Sequence, residues 1–227
     1  IGDLFDKPDL YQIGGYFKKI EPGFNSNGTL TETGTEKSGF NMKLHLTEHN
    51  KFMARYDLIK TDATATSNET ETDIGIMQWA HDRQRWGLTA EYQTRGVDDI
   101  TADTTESTSL AAARLRISPT DNLTVNAEHQ ETLTSTENVE NDQTTLGLKY
   151  QVLPSLALET SGTTGTNGES VQGGATLTLG NKRVYLTERL TDDQAGRSTS
   201  TVLGTEAAID PSSKIYSEYQ WEHSDNG

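Results

Sequence analysis

The stretch Gly39-Phe40-Asn41-Met42-Lys43-Leu44-His45-Leu46-Thr47-Glu48-His49-Asn50-Lys51-Phe52-Met53-Ala54-Arg55-Tyr56-Asp57-Leu58-Ile59-Lys60 states a pattern that the rest of the chain repeats. Phe40, Met42, Leu44 and Leu46 alternate with Asn41, Lys43, His45 and Thr47. Successive side chains of a strand point to opposite faces, so a period of two makes one face apolar and the other polar. After a polar link at 48–51 the alternation resumes with Phe52, Ala54, Tyr56 and Leu58, opposed mainly by Arg55 and Asp57. The arms are expected to fold back as an antiparallel hairpin with their apolar residues on one side. Each arm is about ten residues long, which is also what a tilted strand needs to cross a bilayer.

Composition narrows what such a sheet can be. Only 32% of the 227 residues are hydrophobic and the mean hydropathy is -0.69. A two-layer globule of this length would carry more apolar residues. The shortage points either to disorder or to a sheet whose apolar residues occupy a single face. Disorder is disfavoured because these residues stay in phase over many segments. The absence of cysteine excludes disulfides and thiolate metal sites. Apolar runs extend to only a few residues, so no transmembrane helix is expected. The start at Ile1 reads as that of a mature or trimmed fragment. A formal charge of -15 argues against nucleic acid as a partner, since phosphate demands clustered Lys and Arg.

Taken in order, residues 1–10 form a leading segment without a clear period, and 11–227 read as one β domain. The first strand is expected over 11–24, interrupted by Gly14 and Gly15 and halted by Pro22, which cannot donate to a ladder. Short links fall at 48–51, 81–85, 118–122, 153–155, 180–183 and 210–214, each carrying residues that supply turn dihedrals. Long polar links are expected at 61–73, 94–107, 131–142, 162–170 and 191–198, rich in Thr, Ser, Asp, Glu and Gly. Between them Ile74 and Ile76 lead into one turn, and Trp86, Leu88, Ala90 and Tyr92 lead out of it. Ala111, Ala113, Leu115 and Ile117 oppose Arg114 and Arg116, while Leu146, Leu148, Tyr150 and Val152 flank Lys149. Two-strand units recur every 28 to 36 residues or roughly so, giving an antiparallel meander of about 13 strands. No stretch of comparable length carries the 3.6-residue period of an amphipathic helix.

A meander with one apolar face must cover that face and deal with its two edges. Lipid and barrel closure would do both, and alternation of short turns with long loops is the connection pattern of such barrels. Charge follows the same axis. Half of the 34 acidic residues fall in the long links, including that at 25–38, against Lys37, Arg95 and Arg197 as bases. Bases gather near the short turns, at Lys51, Arg55, Arg83, Arg85, Arg114, Arg116, Lys182, Arg183 and Lys214. Phe52, Trp79, Trp86 and Tyr150 lie near short turns and Phe40, Tyr92 and Trp221 towards the long links, as two interfacial girdles would.

On these patterns the chain resembles Gram-negative outer-membrane β-barrel proteins of the porin-like kind. Its stretch Gly14-Gly15-Tyr16-Phe17-Lys18-Lys19-Ile20-Glu21-Pro22-Gly23-Phe24 also looks like a strand from very large proteins of that kind. The resemblance implies an all-β, up-and-down transmembrane barrel in a bacterial outer membrane, acting as a passive pore or a structural envelope component. It implies no enzyme activity and no cofactor, and lipid as the main partner. Such barrels usually finish on a terminal aromatic, whereas this chain finishes Glu222-His223-Ser224-Asp225-Asn226-Gly227. With an odd strand number as well, the barrel is expected to be incomplete here and completed by another segment or subunit. The alternative reading is a secreted or surface β-repeat protein, an adhesin or fibre subunit, packing its apolar face on another sheet or copy.

Candidate lipid-facing residues are Phe40, Leu44, Tyr56, Leu88, Leu115 and Leu148. Candidate lumen-lining residues are Lys43, Arg55, Arg114, Arg116, Lys149 and Glu128, whose charges could set ion preference. The calcium candidates are Asp98, Asp99 and Asp103, with Asp192 and Asp193 as a second acidic pair, all without the spacing of a calcium loop. His45, His49, His81, His129 and His223 are dispersed, so no metal site is expected from them. No catalytic residue is nominated, because no nucleophile elbow, phosphate loop or paired catalytic carboxylates occur. Three acceptor patterns for N-glycosylation, at Asn27, Asn68 and Asn122, are no more than a Thr-rich chain produces by chance.

Overall fold

The computed structural model describes residues 10–21, 34–63, 67–136, 140–194, 196–210 and 213–224. Alternating apolar and polar residues, many of them Thr, Val, Ile and aromatic, build strands throughout. They are β1 (Tyr11–Ile20), β2 (Thr35–His45), β3 (Asn50–Thr61), β4 (Thr70–Asp82), β5 (Trp86–Asp99), β6 (Thr104–Thr120) and β7 (Leu123–Ser135). Then follow β8 (Gln143–Leu153), β9 (Leu156–Gly165), β10 (Gly168–Leu179), β11 (Lys182–Asp193), β12 (Gly196–Asp210) and β13 (Ser213–Ser224). Each strand pairs with its neighbours in sequence, giving one 13-stranded meander in the order β1 to β13. Among the described residues there is no helix. The leading segment, apart from Leu10, lies outside the described residues, as do Pro22, the link around Asn27 and the last three residues.

The chain forms two compact units. One comprises Ile1–Asp82, Leu88–Ala113 and Glu131–Glu140; the other comprises Arg83–Gly87, Arg114–Gln130 and Asn141–Gly227.

In the first unit the hairpin of β2 and β3 pairs Phe40 with Tyr56, Met42 with Ala54 and Leu44 with Phe52. Directly opposed residues share a face, and β1 adds Ile13 opposite Met42 and Tyr11 opposite Leu44. On the other side of the hairpin, Phe52 meets Trp79 and Ala54 meets Met77. Ile74 and Ile76 therefore do not join this surface: they stand opposite Asp57 and Arg55 on the polar face. Both parities of β4 are apolar in sequence, and pairing with β3 decides between them.

The second unit keeps one phase across six ladders. Leu123, Val125 and Ala127 oppose Tyr150, Leu148 and Leu146. Leu158 stands between Tyr150 and Ala175, Ala175 meets Leu186, and Leu186 meets Leu203, which meets Tyr219. Among the described residues no hydrophobic side chain is buried, and Leu148, Leu158, Leu186, Leu203 and Tyr219 are all exposed.

The short turns sit where turn residues demand them. Thr47 closes the first by accepting from the Asn50 amide at 3.1 Å and its side-chain nitrogen at 2.7 Å, and Gly180 turns with a φ of 62°. Three of the expected long links are not long. β9 runs to Gly165 and β10 begins at Gly168, while β11 runs to Asp193 and β12 begins at Gly196. The link after β5 likewise shrinks to residues 100–103. Thr and Ser carry ladders without any apolar pattern, as in the 2.8 Å contact between Thr145 and Thr163 hydroxyls. Gly168 and Gly196 reverse the chain with φ of 126° and 111°.

Gly168→Ala is expected to lower stability by roughly 1–3 kcal/mol, because alanine is strained at that φ and its methyl would strike the Asp192 backbone. Gly173→Ala, where a methyl meets nothing within 4 Å, should be neutral or slightly stabilising. Thermal unfolding of the two variants checks both outcomes.

Candidate functional site

The polar face carries the chemistry. In the first unit β2 presents Asn41 and Lys43, which stand opposite Arg55 and Met53 of β3. The next row runs Tyr16, Gly39, Asp57 across β1, β2 and β3. The Tyr16 hydroxyl donates to Asp57 Oδ1 at 2.8 Å, reaching over the glycine between them. Arg55 Nε lies 2.5 Å from Asp57 Oδ2, so both carboxylate oxygens are engaged and the Asp57 side chain is only 6% exposed. A Cβ on Gly39 would fall 2.5 Å from Asp57 Oδ1 and 2.8 Å from Tyr16 Cζ, inside contact distance of the tyrosine ring. The absent side chain is what lets the brace close.

The same device recurs in the second unit. Tyr185, Gly204 and Glu218 form one row across β11, β12 and β13. Tyr185 donates to Glu218 across the glycine, and a Cβ there would collide with the tyrosine ring. Arg114 meets Glu128 through Nη2 at 2.6 Å, and Lys149 stands opposite Glu159. Arg116 donates to the Arg83 carbonyl at 3.1 Å.

Arg55 and Lys43 thus share the polar face of the first unit, and Arg114, Arg116, Glu128 and Lys149 that of the second. Phe40, Leu44 and Tyr56 share the opposite surface of the first unit, and Leu148 lies on that of the second. Leu88 lies on β5 and Leu115 on β6, each in the apolar alternation of its strand. Neither glycine brace was legible as a site, although an isolated glycine inside each alternating segment was the available sign.

At the loop end Asp99 and Asp192, two of the acidic candidates, are used structurally. Asp99 accepts from the Asn68 side chain at 2.6 Å and from the Ala102 amide at 2.8 Å. The hydrogen bond from Asn68, reinforced by that from Ala102, holds the Asp99 carboxyl below its ordinary 3.8. Asp192 is paired with Arg197 at 2.8 Å. His49 and His81 bring their rings to 6.2 Å, and His129 bonds Thr144 at 2.9 Å. Among the described residues no three of His, Asp and Glu converge as metal ligands.

No protein-family model matches the sequence, and no curated protein does. Among solved structures, a triple mutant of Rhodopseudomonas blastica porin is similar at 12% identity, over 93% of this chain and 94% of that one, with a TM-score of 0.51. A second mutant of the same porin gives 10% identity over the same shares and a TM-score of 0.47. At such identity the first likeness is one of fold. The chain has the antiparallel meander of a porin-like β-barrel, and its strand order agrees with that fold.

Tyr16→Phe should cost about 1 kcal/mol through the lost hydrogen bond to a carboxylate, and Gly39→Val more, since it strikes both Tyr16 and Asp57; chemical denaturation measures each. Asp99 titrates below its usual value, so its contribution is complete above 3.8 and is lost as pH falls through the lower folded value. The Ala102 amide resonance is expected to hold its position from neutral pH down to that point and then move. In Asn68→Ala the movement should begin at higher pH.

Proposed function

We propose that this chain forms an outer-membrane β-barrel, or a large part of one, acting as a passive pore or structural envelope component. Its apolar surface meets lipid, and its polar face, with Lys43, Arg55, Arg114, Arg116, Lys149 and Glu128, lines water. Further segments or subunits complete the wall between β1 and β13. The observation that carries this reading is the uncovered apolar surface of each unit, with no buried hydrophobic residue behind it among the described residues. A soluble monomer rarely exposes so large an apolar area. A barrel in lipid instead buries that surface in hydrocarbon and keeps every backbone group bonded within the sheet.

The acidic loop end and basic turn end give the proposed orientation, loops outside and turns inside. The experiment is purification followed by reconstitution. The chain should require detergent or lipid to remain dispersed, and in planar bilayers it should produce stepwise, ohmic conductance. A monodisperse monomer in plain buffer would sink the membrane reading, and a lipid-embedded chain without conductance would leave only the structural role.

A further inference from the structure

The polar face of β1 to β5 is not uniformly polar. Met53 and Ile76 sit among Lys43, Arg55 and Gln78, while Ile74 is opposite Asp57 and Ile59 is opposite Thr72. These four are half-buried, as are Met42, Leu44, Phe52 and Trp79 on the opposite surface, where Phe40, Tyr56 and Met77 are exposed. The cations on this face are Lys18, Lys37, Lys43, Arg55 and Arg95; the acids beside them are Asp57 and Glu91. Lys51 and Asp82 lie at the turn end of their strands, and Asp99 at the loop end. Gln78 donates to Glu91 at 2.7 Å, and the Asp73 carboxylate occupies the space beside Gly96, which sets Arg95 next to Ile74. Asp57 is already held by Arg55 and Tyr16. Neither Lys43 nor Arg95 has an ion-pair partner among the described residues, and both are exposed.

An apolar patch flanked by unpaired cations has a definite complement. Water wets the isoleucines poorly, a simple anion leaves them uncovered, and an apolar cation is repelled from both ends. We propose that this face is a binding track for small carboxylate anions with an apolar body, the carboxylate meeting Lys43 or Arg95 and the body covering Ile74, Ile76 and Met53. The proposal deepens the pore reading, on which it rests for access by water, and assigns that pore a preferred solute class. Arg55 positions the track by fixing Asp57, so that this carboxylate does not compete with the ligand.

The test uses the full chain in detergent micelles with isoleucine methyl labels and three probes: phenylbutyrate, acetate and phenylbutylamine. Phenylbutyrate should shift the Ile74 and Ile76 methyl resonances saturably, whereas acetate and the amine should leave them in place at the same concentration. Combining Lys43→Gln with Arg95→Gln should weaken phenylbutyrate about three- to ten-fold, the range expected for two exposed ion pairs. Ile76→Thr should weaken it without altering the response to acetate. Equal shifts with the amine, or undiminished binding by the double variant, would overturn the track. Conductance without any methyl shift also overturns it and leaves the pore standing; methyl shifts without conductance defeat the pore and leave the track.

Discussion

Pairing register is the constraint on which everything else depends. Because side chains alternate, sliding β3 by one residue against β2 would put Arg55 and Asp57 among Phe40 and Leu44. No covering layer exists among the described residues to absorb such an error, since no hydrophobic side chain is buried. The sheet therefore cannot rely on a packed core to choose its alignment. Turn chemistry and contacts on the polar face must do it.

The two tyrosine braces meet that need. Each spans three strands, so it fixes two registers at once: Tyr16 over Gly39 to Asp57, and Tyr185 over Gly204 to Glu218. A slip in either ladder moves the tyrosine off its glycine and onto a side chain. The brace thus rewards correct pairing with a charge-assisted hydrogen bond and penalises incorrect pairing with a collision. Glycine, usually a weakness within a strand, here acts as the socket.

Much of this was legible in the residues. The apolar alternation of Phe40 to Leu46 and of Leu146 to Val152 predicts strands, and Gly180 or Asn122 predicts turns, because those signals act locally. The placement of Ile74 and Ile76 was not, since Asp73 to Trp79 offers apolar residues on both parities and only pairing with Phe52 and Ala54 chooses. The Thr- and Ser-rich ends of β9 to β12 read as loops for a related reason: their ladders are made by backbone and hydroxyl groups, which leave no hydropathy pattern. The braces were invisible because their partners lie as far as 41 residues apart, and no single strand carries the motif.

Net charge shows how an average can mislead. At -15 the chain is strongly acidic, and a uniform distribution would make every surface repel anions. The acids are not uniform, however: many of those with known placement occupy the loop end, as Asp98, Asp99, Asp103, Asp192 and Asp193 do. On the polar face of β1 to β5, Asp57 is committed to Arg55 and Tyr16. Glu91 takes a hydrogen bond from a neutral amide, and Lys43 and Arg95 outnumber it. Exposed charges farther apart than about 8–10 Å are screened at physiological salt. A solute beside Lys43 therefore feels the local wall and little of the acidic loops beyond it, so the preference of this face is set by a few strands and not by the sum over the chain.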